Sequence, residues 1–184
     1  PAIWAQFAEL GLLAIPFAEE HGGFGGGPVD LMLVMEALGR GLVLEPYLAT
    51  VVLAGGAIRH AGTDEQKADL LPKIAGGEAK LAFAHHERAA RYELAHVATK
   101  AKKDGDGYRI DGEKSLVLNG DAADVLVVSA RLLFAFGLGR DVPGAAYSIS
   151  TSTKRFAGGV ASADHTKSTS GQPVSTYSSP AAIV

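Results

Sequence analysis

The chain of 184 residues contains no cysteine. This absence excludes disulfides, thiolate metal sites and cysteine nucleophiles, and it is compatible with a reducing compartment, so we expect a cytoplasmic protein. The chain also has no excess of basic residues, with 17 Lys and Arg against 20 Asp and Glu, and it has no long basic run. The electrostatic signature of a nucleic-acid-binding protein is therefore missing, and we expect no polynucleotide partner.

Apolar runs of membrane-spanning length are missing as well. The most apolar region, 42–58, is interrupted by Glu45, Pro46, Thr50 and a pair of glycines, whereas a spanning helix needs about 20 consecutive apolar residues. We therefore expect no membrane span. The sequence starts with Pro-Ala-Ile-Trp and has no initiator Met, which we interpret as the edge of a fragment.

What the chain does contain changes in pattern near Gly76-Gly77. Before this point, apolar residues recur at helical spacing between signals that start and stop helices. The pattern predicts four helices: over about 2–13, from 28 to 39 or 41, over 46–61 and over 63–76.

Two of these helices have informative local patterns. Apolar residues at Leu31, Val34 and Leu38 predict that the second helix is buried. Thr63 and Gln66 have the spacing of a capping box, which predicts the start of the fourth helix.

From Lys80 onwards, short apolar runs alternate with Asp-Gly and Asn-Gly, the residue pairs that hairpin turns favour. The pattern predicts strands over 80–86, 93–102, 108–110, 113–118 and 124–130. We interpret these strands as an antiparallel meander, or partial barrel, that the preceding helices cover. The predicted fold class is therefore α+β, with a helical domain over 1–78, a partial β domain over 79–131 and an irregular Ser/Thr-rich tail over 132–184.

The tail differs sharply in composition from the rest of the chain. Residues 148–179 include 14 Ser or Thr, and Asp164 is the only acidic residue after Val142. Either the tail is a natural divergent or disordered extension, or a reading-frame or assembly error replaced the rest of the β domain; we favour the error. Translation of the underlying DNA in its other two frames distinguishes these alternatives.

Short motifs follow one another in a fixed order through both parts of the chain. The helical part contains Glu9-Leu-Gly-Leu-Leu-Ala-Ile-Pro16, Glu19-Glu-His-Gly-Gly23, Glu36-Ala-Leu-Gly-Arg40 and Gly62-Thr-Asp-Glu-Gln-Lys67. The β part contains Asp104-Gly-Asp-Gly-Tyr-Arg-Ile-Asp-Gly112, Lys114, Asn119-Gly120 and Val127-Val-Ser-Ala-Arg131. This ordered set resembles the acyl-CoA dehydrogenase family over roughly residues 4–131. His86-Glu87, Arg91-Tyr92 and Leu94 are similar to the branch described as the small subunit of pimeloyl-CoA dehydrogenase.

The resemblance implies an enzyme that binds FAD between a β domain and helical domains. In such enzymes a carboxylate removes a proton α to the thioester of an acyl-CoA substrate, while hydride leaves the β-carbon for the flavin. The resemblance also implies an electron-transferring flavoprotein as partner and a homo- or hetero-oligomer. In that family the base belongs to a further C-terminal helical domain, so we name no catalytic residue here and expect this chain alone to be inactive.

Alignment of the predicted strands with the family pattern implies a set of cofactor-binding residues at the flavin edge. They are Phe83, His85, His86, Arg91, Tyr92, Leu116 and Leu118. Arg91-Tyr92 replaces the usual Gly-Ser, and Leu116 and Leu118 replace aromatic and hydroxyl residues. His86 replaces the usual threonine but could donate to the pyrimidine end of the ring, and Arg91 could bind phosphate.

The same residues also have ordinary structural interpretations. Adjacent histidines on a strand face opposite sides, so His85 or His86 could be packed or face solvent. Arg91 and Tyr92 could supply only a surface charge and a half-buried ring. The scarcity of hydroxyl groups leaves a second function open, namely a non-catalytic, flavin-free subunit or interaction module that keeps the scaffold.

Three further patterns favour structural roles over functional ones. The glycines of 22–27 follow a helix instead of a strand and lack the βαβ context of a dinucleotide-binding loop. Residues 19–21, Glu-Glu-His, lack the helical spacing of metal ligands. Glu36 lies four residues before Arg40, which predicts an ion pair on the helix surface and not a catalytic acid.

Overall fold

The fold is taken from a computed structural model of the chain. The structure describes residues 2–104 and 107–132, together with the backbone of 145–150 and 182–183. Most of the predicted irregular tail, 132–184, therefore lies outside the described residues.

The described residues form four α-helices in the first part of the chain, as predicted. They are α1 (Ala2–Glu9), α2 (Pro28–Arg40), α3 (Gly55–Ala61) and α4 (Asp64–Ala75). Single 3-10 turns lie at Leu12–Ala14 and Glu19–His21, and a π-helical segment, Leu48–Ala54, runs directly into α3. α1 ends earlier than predicted, because Gly11 follows it in a left-handed conformation, with φ of 72°.

Local side-chain predictions in the helices are confirmed. Thr63 Oγ1 accepts a hydrogen bond from Gln66 N at 3.3 Å, and Gln66 Oε1 accepts one from Thr63 N at 2.9 Å. This is the predicted capping box at the start of α4. The Glu36 carboxylate lies 2.7 Å from the Arg40 guanidinium, so these residues form the predicted surface ion pair.

The prediction that the second helix is buried is wrong. No residue of α2 is buried within the described part of the chain. Leu31, Val34 and Leu38 are half-buried against the helical core, whereas Met32 and Leu33 on the other side are more than half exposed. Apolar periodicity therefore identified the inward side of the helix, but it could not show how deeply that side is covered.

The β part is a mixed sheet and not the purely antiparallel meander that we predicted. Its strands are β1 (Leu81–Ala84), β2 (Lys100–Asp104), β3 (Gly107–Asp111), β4 (Val125–Leu132), β5 (Ala145–Ser150) and β6 (Ala182–Ile183). β2 and β3 form the predicted antiparallel hairpin, but β1 and β2 both run parallel to β4. The α+β class, with helices before strands, is confirmed.

Strand β4 organises the sheet. β5 pairs with it in antiparallel fashion over residues 126–131. β1 pairs with residues 125–128 and β2 with residues 131–132, so both share the opposite edge. Ser129 and Ala130 therefore lie at a gap in this edge, where β1 has left β4 and β2 has not yet joined it.

The segment 113–118, predicted as a strand, is a loop. Leu116 has a φ of 54°, a left-handed conformation that interrupts a strand. The side chains of the segment still alternate in exposure, because Ser115 and Val117 are buried whereas Leu116 and Leu118 face solvent, but it pairs with no strand among the described residues. The prediction that Leu116 and Leu118 belong to a neighbouring strand is therefore wrong.

The first part of the predicted strand 93–102 is also irregular, and β2 begins only at Lys100. The Glu87 carboxylate accepts hydrogen bonds from the backbone N–H groups of Ala98 and Thr99. A side chain thus occupies donors that a neighbouring strand would otherwise use, which delays the start of the strand.

Helices and sheet share the larger hydrophobic core. Its largest fully buried apolar side chains are Leu13, Phe17, Tyr47, Val51, Ile58, Leu71, Ile74, Leu81 and Val127. A polar contact crosses this interface, because the buried Thr50 Oγ1 donates to Leu81 O at 2.9 Å and accepts from Leu81 N at 3.2 Å. Across 2–104 and 107–132, no helix combines the length and the apolar composition needed to cross a bilayer.

Replacement of Thr50 by Val keeps the shape of the side chain but removes the hydroxyl that serves both polar groups of Leu81. We expect the free energy of unfolding to fall by about 1–3 kcal/mol, because a buried N–H and C=O lose their partner. Thr50→Ser is the matched control, since it keeps the hydroxyl and loses only a methyl group. Urea denaturation followed by fluorescence measures both variants. Equal stability of T50V and the native chain would contradict the proposed role of this contact.

Candidate functional site

The site lies where β1 ends, beside the gap in the β4 edge. The structure brings the two predicted segments 80–86 and 113–118 together at this point. Ser115 N donates to His86 O at 2.9 Å, and Lys114 Nζ donates to His85 O at 3.3 Å. The adjacency on which the predicted cofactor edge depends is therefore present, although one side of it is a loop.

A buried ion pair fills the gap. Lys114 Nζ lies 2.7 Å from Glu87 Oε1, and both side chains are only 5% exposed. The ammonium group also donates to Ser129 Oγ at 3.0 Å and to His85 O, so each of its three hydrogens has an acceptor. A buried cation with all of its donors used is stabilised in place.

The carboxylate of this pair is equally well satisfied. Glu87 Oε1 accepts hydrogen bonds from Thr99 N at 3.0 Å and Thr99 Oγ1 at 2.6 Å, and Oε2 accepts one from Ala98 N at 2.6 Å. Burial alone raises the pKa of Glu87, but the hydrogen bonds from Lys114, Thr99 and Ala98 outweigh it and lower the pKa from 4.5 to about 2. Burial lowers the pKa of Lys114, and the neighbouring carboxylate opposes this shift. Glu87 is thus an internal anion and is not available as a base for a substrate.

His85 links the end of β1 to the loop 88–99. Its Nε2 lies 2.8 Å from Leu94 O, which can only accept, so Nε2 carries the proton. Its Nδ1 lies 3.0 Å from Ser129 Oγ. With the ring proton on Nε2, Nδ1 is the acceptor, and the Ser129 hydroxyl donates to it. The imidazole also stacks on Phe83, with ring centroids 5.3 Å apart.

His86 makes a second set of contacts of the same kind. Its Nε2 donates to Arg91 O at 3.3 Å, and its Nδ1 accepts from Ser115 Oγ at 2.9 Å. Both ring nitrogens of both histidines are therefore engaged within the chain.

The remaining predicted site residues lie at the surface of the two loops. Tyr92 is 98% exposed, Leu116 71% and Leu118 52%, and Arg91 is also exposed. Arg91 and Leu116 have φ of 49° and 54°, conformations that L-residues rarely adopt. Unusual backbone geometry concentrated in the two loops that frame a site is a common feature of ligand-binding surfaces.

The exposed residues offer two kinds of contact. Leu116, Leu118 and the Tyr92 ring offer apolar area, of the kind that packs on a flat aromatic ring, and the Arg91 guanidinium offers charge, of the kind that binds a pyrophosphate. The Ser115 hydroxyl is already hydrogen-bonded to His86. Within the described ranges, no group of three His, Asp or Glu side chains is placed to hold a metal ion.

Sequence reasoning did not identify the ion pair or Ser129 as part of the site. Glu87 and Lys114 were visible only as members of family-like motifs, 27 positions apart. The sequence did contain a signal for the pair, because Glu87 and Lys114 have opposite charges, and the segments 80–86 and 113–118 were predicted to be neighbours. Ser129 lies in an apolar strand and gave no signal.

Comparison with known proteins identifies relatives of this fold. Residues 1–78 match the family model described as acyl-CoA dehydrogenase, N-terminal domain. The chain is 37% identical over 127 residues to the probable acyl-CoA dehydrogenase YngJ of Bacillus subtilis; the aligned region covers 68% of this chain and 33% of that protein. It is 38% identical over 130 residues to mitochondrial isovaleryl-CoA dehydrogenase of Bos taurus; here the aligned region covers 70% of this chain and 30% of that protein.

A solved structure shows the same likeness. The acyl-CoA dehydrogenase of Bacillus anthracis complexed with FAD matches with a TM-score of 0.67 and 28% identity, over 82% of this chain and 25% of that one. The chain spans about a third of the length of the curated relatives named above.

The lowered pKa of Glu87 predicts a specific dependence of stability on pH. Between pH 4.5 and about 2 the unfolded chain binds the Glu87 proton more tightly than the folded chain does. The stability that the carboxylate contributes is therefore present above this window and is lost as the pH falls through it. We expect E87Q to be less stable at neutral pH, because Lys114 loses its counter-charge, and to lose less further stability on acidification.

Urea denaturation at a series of acidic pH values measures this effect. Glu113→Gln is the matched control, because it removes an exposed carboxylate next to Lys114 and should leave the acid dependence nearly unchanged. If the native chain and E87Q lose stability in parallel, Glu87 is not the group responsible.

Proposed function

Because residues 1–78 belong to the acyl-CoA dehydrogenase N-terminal domain family, we propose that this chain is part of a flavin-dependent enzyme that introduces an α,β double bond into an acyl-CoA thioester. The observation that carries the proposal is the exposed edge beside β1. There, the loops 88–99 and 113–118 both bond to His86 and Glu87, and Tyr92, Leu116 and Arg91 are exposed. FAD, when bound, supplies the redox chemistry by accepting a hydride.

The residue chemistry of this edge supports FAD as the ligand. We assign contact with the flavin ring to Tyr92, Leu116 and Leu118, and contact with phosphate to Arg91. Phe83, His85 and His86 form the layer beneath the loops. The relative from Bacillus anthracis was solved in complex with FAD, which makes the same cofactor the natural candidate here.

In this proposal the chain supplies a platform for the cofactor but no base. Glu87 is already bonded to Lys114, Thr99 and Ala98 inside the chain, so it cannot take a proton from a substrate. The base, the acyl-CoA pocket and the contacts with an electron-transferring flavoprotein would come from further segments or subunits of a homo- or hetero-oligomer. The chain on its own would then be inactive.

A second candidate function is a flavin-free subunit or interaction module that keeps the scaffold. The observation that favours it is that four of the predicted contact residues offer no free side-chain donor. Both imidazoles are bonded within the chain, and Leu116 and Leu118 offer only apolar contact. Contact through these four side chains orients a ring more weakly than donors to the ring would.

Flavin absorbance distinguishes the two candidates. The protein encoded by the complete gene that contains this chain should purify with a yellow flavin band, and an acyl-CoA should bleach that band as the flavin is reduced. A colourless protein that takes up no FAD on titration would instead support the module and overturn the enzyme proposal.

We expect Arg91→Ala in that protein to weaken FAD binding roughly tenfold, the effect of losing an exposed charge-assisted hydrogen bond. Binding of riboflavin, which lacks the pyrophosphate, should be unchanged. Arg88→Ala is the matched control, because it removes another exposed arginine of the same loop. Titration by flavin fluorescence measures all affinities, and equal weakening for FAD and riboflavin would contradict a phosphate contact.

A further inference from the structure

His85 and His86 make the same two contacts with different partners. Each ring accepts a hydrogen from a serine hydroxyl through Nδ1 and donates through Nε2 to a backbone carbonyl. The carbonyls belong to Arg91 and Leu94, the first and last residues of one short segment, 91–94. Two consecutive side chains therefore hold both ends of this segment, which joins two backbone turns, 90–93 and 93–96; we call the segment the 91–94 turn.

The serines that orient these rings come from separate parts of the fold. Ser129 belongs to β4, and Ser115 belongs to the loop 113–118; both are buried. The ring of His85 thus ties the turn to the centre of the sheet, and the ring of His86 ties it to the other loop of the candidate site. We call these four side chains, His85, His86, Ser115 and Ser129, the histidine clamp.

The buried ion pair fixes the position of one serine of the clamp. Lys114 Nζ donates to Ser129 Oγ and holds this oxygen 3.0 Å from Nδ1 of His85. Leu94 O can only accept, so the ring proton of His85 is on Nε2, and Nδ1 accepts from the Ser129 hydroxyl. Glu87 in turn holds Lys114 at 2.7 Å. A change at Lys114 would therefore reach the turn through Ser129 and His85, and a change at Glu87 through Lys114 as well.

The backbone of the turn shows why a clamp is needed. Arg91 adopts a φ of 49°, a left-handed conformation that is unfavourable for a residue with a Cβ. Its carbonyl is the group that accepts from His86. This hydrogen bond holds the peptide plane after Arg91 in an orientation that the free chain would leave.

From this arrangement we propose that His85 and His86 are positioning residues, which hold the 91–94 turn so that Arg91 and Tyr92 are presented at the cofactor edge. This role differs from the direct flavin contact expected from the sequence, because the ring nitrogens are already used. The consequence for cofactor binding rests on the proposed function, whereas the clamp itself is a property of this chain and is tested without any cofactor.

The first experiment is nitrogen-15 NMR of the histidine rings in the 184-residue chain. We expect His85 and His86 to carry the proton on Nε2, with Nδ1 as an acceptor, and the exposed His60 to serve as the internal reference. Ser129→Ala should shift the ring signals of His85 alone, and Ser115→Ala those of His86 alone. A proton on Nδ1 of either ring, or signals indifferent to both serine variants, overturns the clamp.

The second experiment is amide hydrogen exchange in the same chain. His86→Ala should speed exchange roughly tenfold in residues 91–95, as expected for loss of one hydrogen bond, while the strands keep native rates. His86→Gln keeps a donor that can reach the carbonyl of Arg91 and should restore part of the protection. Unchanged exchange in both variants overturns the clamp, and so does faster exchange throughout the sheet, which indicates a general structural role.

The third experiment tests the link to the cofactor in the protein from the complete gene. If His86 acts through Arg91, H86A and R91A should each weaken FAD binding roughly tenfold, and the double variant should be no weaker than either one. Additive losses would show that His86 acts independently of Arg91 and would overturn the positioning role. A native protein that binds no FAD overturns the proposed function, and with it the role at the cofactor edge, whereas the first two experiments still decide the clamp.

Discussion

The buried contact between Glu87 and Lys114 is the interaction on which the local structure depends. Two charges can leave water only if nearly every donor and acceptor finds a partner, and here those partners come from β4, the end of β1 and the start of β2. The requirement to satisfy the pair therefore brings distant segments together at one point. The Glu87 carboxylate also accepts from the N–H groups of Ala98 and Thr99. These two residues therefore stay outside β2, in the loop that borders the candidate site.

The gap in the β4 edge explains why the pair can be buried there. β1 and β2 share this edge but do not meet along it, so Ser129 faces neither strand directly. An apolar filling of such a gap would leave backbone groups without partners, whereas a lysine with three donors satisfies oxygens from several segments at once. The helical part holds the other end of β1, because Thr50 bonds to both polar groups of Leu81, the first residue of that strand.

The surface beside the end of β1 is supported by side chains that are hydrogen-bonded within the chain. On it lie apolar groups, the Tyr92 ring and the guanidinium of Arg91. Recognition at this edge would rely on packing and charge more than on serine or threonine hydroxyls. This explains why the same fold supports two functional candidates, since a platform that binds a ring by contact alone is also a surface on which another subunit could pack.

The sequence by itself determined the features that depend on neighbouring residues. Helical periodicity, the capping box at Thr63, the Glu36 and Arg40 pair and the hairpin of β2 and β3 all arise from contacts within a few positions, and the order of motifs was enough to indicate the family. Only the tertiary structure decided that β1 runs parallel to β4, that 113–118 is a loop, how far α2 is covered and where the two histidine rings direct their nitrogens. Several of these depend on distant partners: the ion pair spans 27 residues, and the serines that bond to Nδ1 of His86 and His85 lie 29 and 44 residues away. No local pattern specifies such a partner, because its choice is set by satisfying buried charges and hydrogen bonds across the whole fold.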